Sequence, residues 1–293
     1  MIEKRCSHTH FRQARFLRLA FHDCIGGCNG CVDLSVPENL SLCYPMAQLK
    51  DACPGLSRAD CWALAAVVTV EQLSDVTMEL QHVGRQDCVT SSPIGDEPDS
   101  ESLPSAMFTT DDLLSFFATE FGFDAKETVA IMGAHTLGSL SNNSTGFDGA
   151  WTPNSRVMDN EYYQFLIGED GQATAQYDQD NASNQNGYYA WSRRSNGDGF
   201  KRPKLMLNAD MALVRDLTNY LVDTETGEVS CVLDSTGGAA PICDLATETL
   251  PQVVAYSNDN LLWLEDFRDA LTKMMTKGYS TTHCIDGSLC ILA

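Results

Sequence analysis

Hydrophobic positions recur at helical spacing along much of the chain. Between residues 11 and 24, apolar side chains follow the pattern of an amphipathic helix. Polar caps mark two more helix starts: Ser57 precedes a predicted helix at 61–73, and the capping-box pattern Asp124-Ala-Lys-Glu127 begins a helix that runs toward His135. Further helices are predicted at 109–121, 210–222 and 259–277. No alternating strand pattern competes with these helices, so the sequence predicts a mainly α fold.

Two segments lack this periodicity. Residues 168–204 are polar and rich in Gly and Asn, which is typical of a long surface excursion. Residues 223–251 contain Cys231 and Cys243 on either side of Gly237-Gly238, which predicts a disulfide-stapled hairpin or an Ω-like loop. A chain of 293 residues without an internal repeat can form one large domain or two lobes that share a site.

The charge balance is strongly acidic. The chain has 19 Lys and Arg residues against 40 Asp and Glu residues, a formal net charge of −21. It lacks the basic residues that nucleic acid or anionic lipid would need, so we expect neither nucleic acid nor membrane as a partner. No apolar run approaches the roughly 18 residues of a membrane span, and the longest, around residues 63–70, is predicted to be a core helix. The same charge would attract a basic protein.

The cysteine content points to an oxidising compartment. An even, scattered set of 12 cysteines in an acidic chain predicts a disulfide framework. Glycosylation sequons at Asn142, Asn143 and Asn181 agree with secretion. The chain opens with Met1-Ile-Glu-Lys-Arg and shows no apolar signal region. We therefore expect a secreted protein whose leader lies outside this sequence, with a cytosolic protein as the alternative.

Three of the cysteines allow a second interpretation. Cys24, Cys28 and Cys31 have the spacing of the radical S-adenosylmethionine iron–sulfur motif. That motif should follow a strand of an α/β barrel, whereas these residues end a predicted helix. Disulfides are therefore the preferred interpretation, and an iron–sulfur enzyme is the alternative.

Two histidines lie in chemically suggestive surroundings. Arg18 and His22 are four residues apart on one predicted helix and so share a face, which suits a general base beside a cation that stabilises developing negative charge. The alternative is an exposed arginine and a satisfied buried histidine. His135 ends a hydrophobic helix between small residues, which would let a flat partner approach an imidazole able to bind iron. A packing histidine is the alternative there.

Five motifs follow one another in the order and spacing of a single family. They are Arg18-Leu-Ala-Phe-His22-Asp23, Ser57-Arg-Ala-Asp-Cys-Trp-Ala-Leu-Ala65, Val83-Gly-Arg-Gln-Asp87, Gly133-Ala-His-Thr-Leu-Gly138 and Gly146-Phe-Asp-Gly-Ala-Trp-Thr-Pro-Asn154. With them the sequence resembles the plant, fungal and bacterial haem peroxidase superfamily, from about residue 11 to about 271 apart from 223–251. The family's first helix has no counterpart, because the distal helix begins almost at Met1.

The resemblance implies a fold and a cofactor. It implies a single peroxidase domain over residues 1–293, with a distal lobe at about 1–108 and a proximal lobe at about 109–293. The segment at about 223–251 would be a stapled insertion into the proximal lobe. Haem b would lie between the distal and proximal helices of this two-lobed fold.

The resemblance also assigns the distal residues. Arg18 and His22 resemble the pair that cleaves hydrogen peroxide, and Phe21 stands at the distal aromatic position. Asn39 matches the asparagine that orients the distal histidine, so the sequon that begins at Asn39 would be buried and unglycosylated.

On the proximal side, His135 resembles the axial ligand of the haem iron. Asp210 matches the carboxylate that accepts the other N–H of that histidine. Trp151 falls where the intracellular class, the cytochrome c and ascorbate peroxidases, carries a proximal tryptophan. Phe21, Asp23 and the cysteines Cys24 and Cys31 are of the secreted type instead, so the chain combines features of both classes.

Two cation sites are implied as well. A distal Ca²⁺ site would use Asp23, Asp33 and Ser35, in a loop one residue longer than in the plant pattern. A proximal site for Ca²⁺ or K⁺ would use Thr136, Thr152, Asn154 and Asp159. Such residues are also common loop and cap formers.

Together these assignments predict a monomeric haem peroxidase. It would reduce hydrogen peroxide to water through a ferryl intermediate, respond to oxidative stress, and oxidise phenolic or other small one-electron donors. Ser144 occupies the position where ascorbate peroxidases hold an arginine for ascorbate, which argues against ascorbate as the preferred donor. The alternative is a secreted haem-binding or structural protein that kept the fold without turnover.

Overall fold

A computed structural model describes residues 13–74, 76–78, 82–88, 103–167, 177–181, 184, 187–193, 205–230, 243–279, 281–284 and 289–291. The α-helices, numbered in chain order from α1 to α10, are Ala14–Cys24, Cys43–Leu49, Arg58–Leu73, Thr110–Phe121, Ala125–Met132, Asn142–Thr145, Glu161–Ile167, Asn208–Met211, Leu250–Asn258 and Asn260–Met275. Two 3₁₀ segments are Pro37–Leu42 and Gly133–Thr136. The mainly α class is confirmed.

The chain clusters into two compact units. One consists of Met1–Leu103 together with Leu271–Ala293, and the other is Pro104–Ala270. The division near residue 103 lies close to the predicted lobe boundary at about 108. The C-terminal residues from Leu271 onward group with the first unit, whereas the sequence assigned them to the proximal lobe.

In the first unit, α1 packs along α3. Their contact belongs to a buried cluster that includes Leu19 of α1 and Trp62 of α3. The predicted cap at Ser57 is confirmed, because its side chain accepts a hydrogen bond from the backbone N–H of Asp60, and α3 accordingly begins at Arg58, three residues earlier than expected. Residues 11 and 12 of the predicted first helix lie outside the described residues.

A buried ion pair fixes the chain that follows α3. Arg85 donates from Nη1 to Oδ1 of Asp60 at 2.9 Å, and both side chains are buried. Asp60 also accepts the backbone N–H groups of Gly84 and Arg85, and Arg85 Nε donates to the carbonyl of Met275. Because every charge here has a partner, burial of the pair is tolerated.

Disulfides join Cys24 to Cys28, Cys31 to Cys88 and Cys53 to Cys61. Cys43 and Cys243 are also disulfide-bonded, and no cysteine in the described part of the chain is free. The disulfide prediction is therefore confirmed for these residues. The iron–sulfur alternative is wrong, because all three cysteines of that motif are already oxidised to disulfides.

In the second unit, α4 and α5 begin where the sequence predicted, and α4 also ends there. Thr109 and Asp124 each close a capping box, before α4 and α5 respectively. Gly122 ends α4 with a φ of +67°, a left-handed conformation that favours glycine. At the other end of α5, Gly133 is required because a Cβ there would collide with the hydroxyl of Tyr163 and the indole of Trp263.

The helix predicted at 210–222 is wrong. Only Asn208–Met211 is helical, and Leu221–Val222 forms a strand. Carbonyls that a longer helix would use accept side-chain hydroxyls instead: Thr110 Oγ1 donates to Arg215 O at 3.0 Å, and Thr249 Oγ1 donates to Leu213 O at 2.8 Å. These partners come from distant parts of the chain, so no local pattern reveals them.

The structure also contains short strands, which no alternating pattern in the sequence had indicated. The strands, numbered β1 to β8, are His82–Val83, Tyr177–Asp180, Ala190–Arg193, Leu205–Met206, Leu221–Val222, Val229–Ser230, Thr281–Cys284 and Leu289–Ile291. They form antiparallel sheets in the orders β1-β7-β8, β2-β3-β4 and β5-β6. The predicted surface excursion at 168–204 therefore contains β2 and β3, and Trp191 in β3 is buried.

The segment predicted as a stapled insertion is only partly described. It begins in the hairpin of β5 and β6, and its last residues begin α9. Cys231 lies outside the described residues, so the predicted staple to Cys243 is untested. The helix predicted at 259–277 is confirmed as α10, and α9 was not predicted. Among the described helices, none combines the length and apolar character that crossing a membrane requires.

Candidate active site

The distal candidates meet around one imidazole. Arg18 and His22 lie one turn apart on α1, and the Nε–H of Arg18 donates to Nε2 of His22 at 3.1 Å. The 3₁₀ segment Pro37–Leu42 brings Asn39 to the other ring nitrogen, with 2.6 Å between His22 Nδ1 and Asn39 Oδ1. The prediction that Arg18 and His22 share a face is confirmed.

The amide of Asn39 selects the tautomer of His22. Its Nδ2 donates to the carbonyl of Asp33 at 2.9 Å, which leaves Oδ1 as the atom that faces the imidazole. Since this oxygen can only accept, Nδ1 of His22 carries the proton and Nε2 keeps its lone pair. That lone pair is what a general base requires.

Burial keeps this imidazole neutral. The pKa of His22 is lowered to about 3, first by burial and second by the positive charge of Arg18, while the hydrogen bond to Asn39 works in the opposite direction. Burial also lowers the pKa of Arg18 to about 10, so the guanidinium remains a cation at neutral pH. The site therefore pairs a neutral base with a fixed positive charge.

Further contacts fix these two side chains. Arg18 donates from Nη2 to the carbonyl of Glu38 at 2.8 Å and from Nη1 to Oγ of Ser41 at 3.3 Å. The ring of Phe21 meets His22 edge to face, with the ring centroids 5.8 Å apart. The guanidinium and the imidazole are thus held in one arrangement by the 3₁₀ segment and by an aromatic neighbour.

In the other unit, a buried carboxylate organises the proximal candidates. His135 lies on the 3₁₀ segment after α5, and its Nδ1–H donates to Oδ1 of Asp210 at 2.7 Å. The indole Nε1–H of Trp151 donates to Oδ2 at 2.8 Å, and the Tyr162 hydroxyl donates to Oδ1 at 2.8 Å. The backbone N–H of Leu207 is a fourth donor, at 2.7 Å from Oδ2. Asp210 has no exposed surface, so these four donors replace water around its charge.

The second nitrogen of His135 is available for a ligand. Nδ1 is bonded to Asp210, and within the described residues Nε2 has no hydrogen-bond partner. The His135 side chain is 31% exposed, whereas Asp210 is fully buried. Trp151 stacks on the imidazole with ring centroids 4.2 Å apart and planes 19° apart, which fixes its orientation. An oriented imidazole with one accessible nitrogen and a carboxylate on the other is the usual arrangement of a metal-binding histidine, so these residues fit a haem iron.

The proximal cation candidates are close together. Thr136 Oγ1 donates to Oδ1 of Asp159 at 3.3 Å, and Thr152 Oγ1 donates to the carbonyl of Thr136 at 2.9 Å. Asn154 lies in the same loop and donates its backbone N–H to Oε2 of Glu161. Thr136 and Thr152 are buried, while Asn154 is exposed.

The distal cation candidates act as loop formers in this structure. Asp33 accepts the backbone N–H of Ser35 at 2.7 Å and its hydroxyl at 2.9 Å. Asp23 is buried and accepts the backbone N–H of Cys31 at 3.0 Å. Over the described residues no group of three or more His, Cys, Asp and Glu side chains is arranged to hold a metal ion, and neither proposed cation set contains three such side chains.

Sequence reasoning missed Tyr162 and the Leu207 N–H as donors to Asp210. Tyr162 lies on α7, a seven-residue helix that was not predicted, and both donors depend on tertiary contacts. The Ser144 side chain, on which the argument about ascorbate rests, lies outside the described residues.

Comparison with known proteins identifies the family. The family model described as Peroxidase matches residues 2–223. The chain is 37% identical over 134 residues to the cytosolic L-ascorbate peroxidase 2 of Oryza sativa subsp. japonica, covering 46% of this chain and 51% of the relative. It is 30% identical over 204 residues to the mitochondrial cytochrome c peroxidase of Emericella nidulans, covering 65% and 50%.

The chain spans about half the length of these curated relatives. Their names place them in the cytosol and in mitochondria, which does not support the predicted secretion. The family assignment does not depend on the relatives alone, because the family model covers well over half of the chain. The chain belongs to the haem peroxidase superfamily.

Proposed function

We propose that the chain is a haem-dependent peroxidase that reduces hydrogen peroxide to water and oxidises one-electron donors. The observation that carries the proposal is His135, an imidazole that is bonded through Nδ1 to a fully buried carboxylate and whose Nε2 meets no hydrogen-bond partner among the residues that the structure describes. An imidazole held through one nitrogen by a buried carboxylate, with its other nitrogen at a partly exposed edge, suits a metal ligand. His135 would hold the iron through Nε2.

When bound, haem supplies an iron centre that takes up peroxide and stores the two oxidising equivalents released when the O–O bond breaks. The chain supplies proton transfer and charge stabilisation. His22 Nε2 accepts a proton from one peroxide oxygen and returns it to the oxygen that leaves as water. Arg18 stabilises the negative charge that develops on the leaving oxygen. Asn39 keeps the proton of His22 on Nδ1, so that the lone pair stays on Nε2, where peroxide would take the place of the Arg18 Nε–H.

The proximal carboxylate would tune the iron. Because Asp210 accepts the Nδ1–H of His135, it makes the imidazole a stronger donor to the metal. Trp151 and Tyr162 donate hydrogen bonds to the same carboxylate. Each of these bonds weakens the hydrogen bond that Asp210 accepts from His135. Two further donors at one carboxylate give the protein a means of setting the basicity of its iron ligand.

Two substitutions test the proposal. Protein supplied with hemin should show an intense Soret band, and His135→Ala should lose that band together with the bound haem. His22→Leu should retain the haem and lose most of the peroxide rate, since general base catalysis contributes about 10²–10⁴-fold. Haem bound without any peroxide-dependent oxidation of a phenolic dye by the parent protein would instead support a haem-binding protein without turnover. Failure of the parent protein to bind haem would refute the proposal.

We propose small phenolic compounds as the donors. The resemblance argues against ascorbate because Ser144 replaces the arginine of ascorbate peroxidases, although relatives carry that name. A net charge of −21 also fits a basic protein donor, as cytochrome c is for a relative. Steady-state rates with guaiacol, ascorbate and ferrocytochrome c distinguish these donors, and only the rate with the basic protein should fall steeply with added salt.

The proposal also covers bound cations, the cellular compartment and the oligomeric state. We infer a Ca²⁺ or K⁺ ion at Thr136, Thr152, Asn154 and Asp159, and Ca²⁺ at Asp23, Asp33 and Ser35. Metal analysis of dialysed protein tests both sites, and Thr152→Val should abolish only the proximal ion. Secretion is supported by the disulfides and opposed by the names of the relatives, while a role in oxidative stress would follow from the peroxide reaction itself. We also propose that the protein is a monomer, which sedimentation tests.

A further inference from the structure

A continuous series of aromatic rings leads away from His135. The ring of Tyr162 lies 6.1 Å from the imidazole, centroid to centroid. Tyr163 follows at 5.1 Å from Tyr162, and Tyr256 at 5.3 Å from Tyr163. All three tyrosines are fully buried and belong to α7 and α9, which pack against each other. Oxidisable side chains are therefore in successive contact from the iron-ligand candidate to α9.

The phenols in this series have different acceptors. Tyr163 donates to backbone carbonyls of α5, at 2.6 and 3.2 Å, and a carbonyl cannot take up its proton. Tyr162 donates to Asp210, whose two oxygens already accept hydrogen bonds from three other donors. Tyr256 donates to Oδ2 of Asp266 at 2.8 Å. Two carboxylates therefore accept hydrogen bonds from these phenols. Asp210 also binds His135, whereas Asp266 does not.

The acceptor of Tyr256 also reaches the surface. The Asp266 side chain is 18% exposed and pairs with Lys126 at 2.8 Å through its other oxygen, and Lys126 is 51% exposed. The pKa of Tyr256 is raised by burial and by this carboxylate, so the phenol is protonated at rest. An oxidised phenol is a strong acid and must release its proton. Among these tyrosines, Tyr256 is the one with a receptive carboxylate open to solvent.

We propose that Tyr256 is a redox-active tyrosine that forms a radical with Asp266 as its proton acceptor. The inference rests on the proposed function, which supplies the oxidant, a peroxide-oxidised haem. One electron leaves Tyr256 and passes through Tyr163 and Tyr162 to that oxidant. The phenolic proton moves to Oδ2 of Asp266. A one-electron donor at the surface near Lys126 then returns the electron, and Asp266 returns the proton.

Paramagnetic resonance on the haem-loaded protein tests this inference. One equivalent of hydrogen peroxide is added, and the sample is frozen within milliseconds. We expect an organic radical whose spectrum narrows when the protein carries ring-deuterated tyrosine and is unchanged with ring-deuterated tryptophan. Tyr256→Phe, which keeps the ring and the packing, should abolish the signal. Asp266→Asn, which keeps the shape but is a poor proton acceptor, should also abolish it.

A matched control separates the carboxylate from its ion pair. Lys126→Gln removes the partner of Asp266 but leaves the acceptor of Tyr256, so the radical should persist. An undiminished tyrosyl signal in Tyr256→Phe, or a signal that narrows with deuterated tryptophan, would overturn the inference. Should Asp266→Asn fail to fold, a spin-trap adduct mapped by mass spectrometry to the Tyr256 peptide of the parent protein supports the inference, and an adduct elsewhere overturns it.

The same samples distinguish this inference from the proposed function. The haem absorption spectrum after peroxide reports the reaction at iron independently of any tyrosine. A normal spectral change without a Tyr256-dependent radical overturns the inference and leaves the peroxidase proposal intact. No spectral change in the parent protein removes the oxidant and overturns both.

Discussion

The hydrogen bond between Asn39 and His22 should control the peroxide step. The two atoms are 2.6 Å apart, and both side chains are buried. Asn39→Leu keeps the volume but removes the acceptor, so the Nδ1–H of His22 either stays unsatisfied or moves its proton to Nε2. Leaving a buried donor unsatisfied costs about 1–3 kcal/mol. At about 1.4 kcal/mol for each tenfold change, the rate of reaction with peroxide should fall by about 5- to 150-fold.

The pH dependence gives an independent check. With the pKa of His22 lowered to about 3, the base is neutral in the folded protein from about pH 5 upward, and the rate should be level from pH 5 to 8. Asn39→Asp places a negative charge beside Nδ1 and raises the pKa of His22. In this variant the rate should begin to fall at a higher pH than in the parent as the pH is lowered.

Stopped-flow measurement of the haem absorption change, at several peroxide concentrations, gives the rate constant. Glu38→Ala is the matched control: it alters the same 3₁₀ segment and keeps the carbonyl that binds Arg18, so its rate should stay within about twofold of the parent. A parent-like rate in Asn39→Leu would refute the reasoning. So would a parent midpoint near 6.5, the ordinary pKa of histidine.

The lowered pKa of His22 also makes the free energy of unfolding depend on pH. Below about pH 6.5 the unfolded chain protonates His22 while the folded chain does not until about pH 3. The unfolded state thus binds more protons over this window, so the free energy of unfolding falls as the pH falls through it and is unaffected by His22 above it. His22→Gln should flatten that part of the curve in urea titrations. An unchanged slope would show that His22 titrates normally.

Three further substitutions test the packing, each by urea denaturation. Gly133→Ala should cost about 1–3 kcal/mol because the added Cβ meets the Tyr163 hydroxyl, and a neutral result would show that the ring can move aside. Asp60→Ala should lower the free energy of unfolding by about 3–5 kcal/mol because it leaves the buried charge of Arg85 without a partner. A decrease below about 1 kcal/mol would contradict the buried pair. Thr109→Ala should cost about 1 kcal/mol through loss of the α4 cap, and an unchanged midpoint would exclude a stabilising cap.

Features encoded locally were predictable from the sequence. Thr109 and Asp124 mark helix starts because a cap and its partner lie three residues apart, and Arg18 and His22 face each other because helical spacing requires it. His135 was identified from the order of the family motifs. The hydrophobic periodicity alone could not have shown that it binds Asp210.

Features encoded by distant contacts were not predictable in this way. The helix expected after Asp210 ends early because the hydroxyls of Thr110 and Thr249 occupy its carbonyls. Tyr162 joins the proximal network through a contact 48 residues along the chain, which leaves no trace in local spacing. Short strands such as β2 and β3 form because they pair with each other, and such pairing is not visible in either segment alone.

The four donors on Asp210 have a consequence for anyone who wishes to re-engineer the protein. Substitutions at Trp151 and Tyr162 cannot act independently, because removing either one redistributes the same two oxygens among the groups that remain. Double-mutant cycles across this pair should therefore show strong non-additivity, and a library that varies one position at a time would misjudge which combinations are tolerated. The two positions must be varied together.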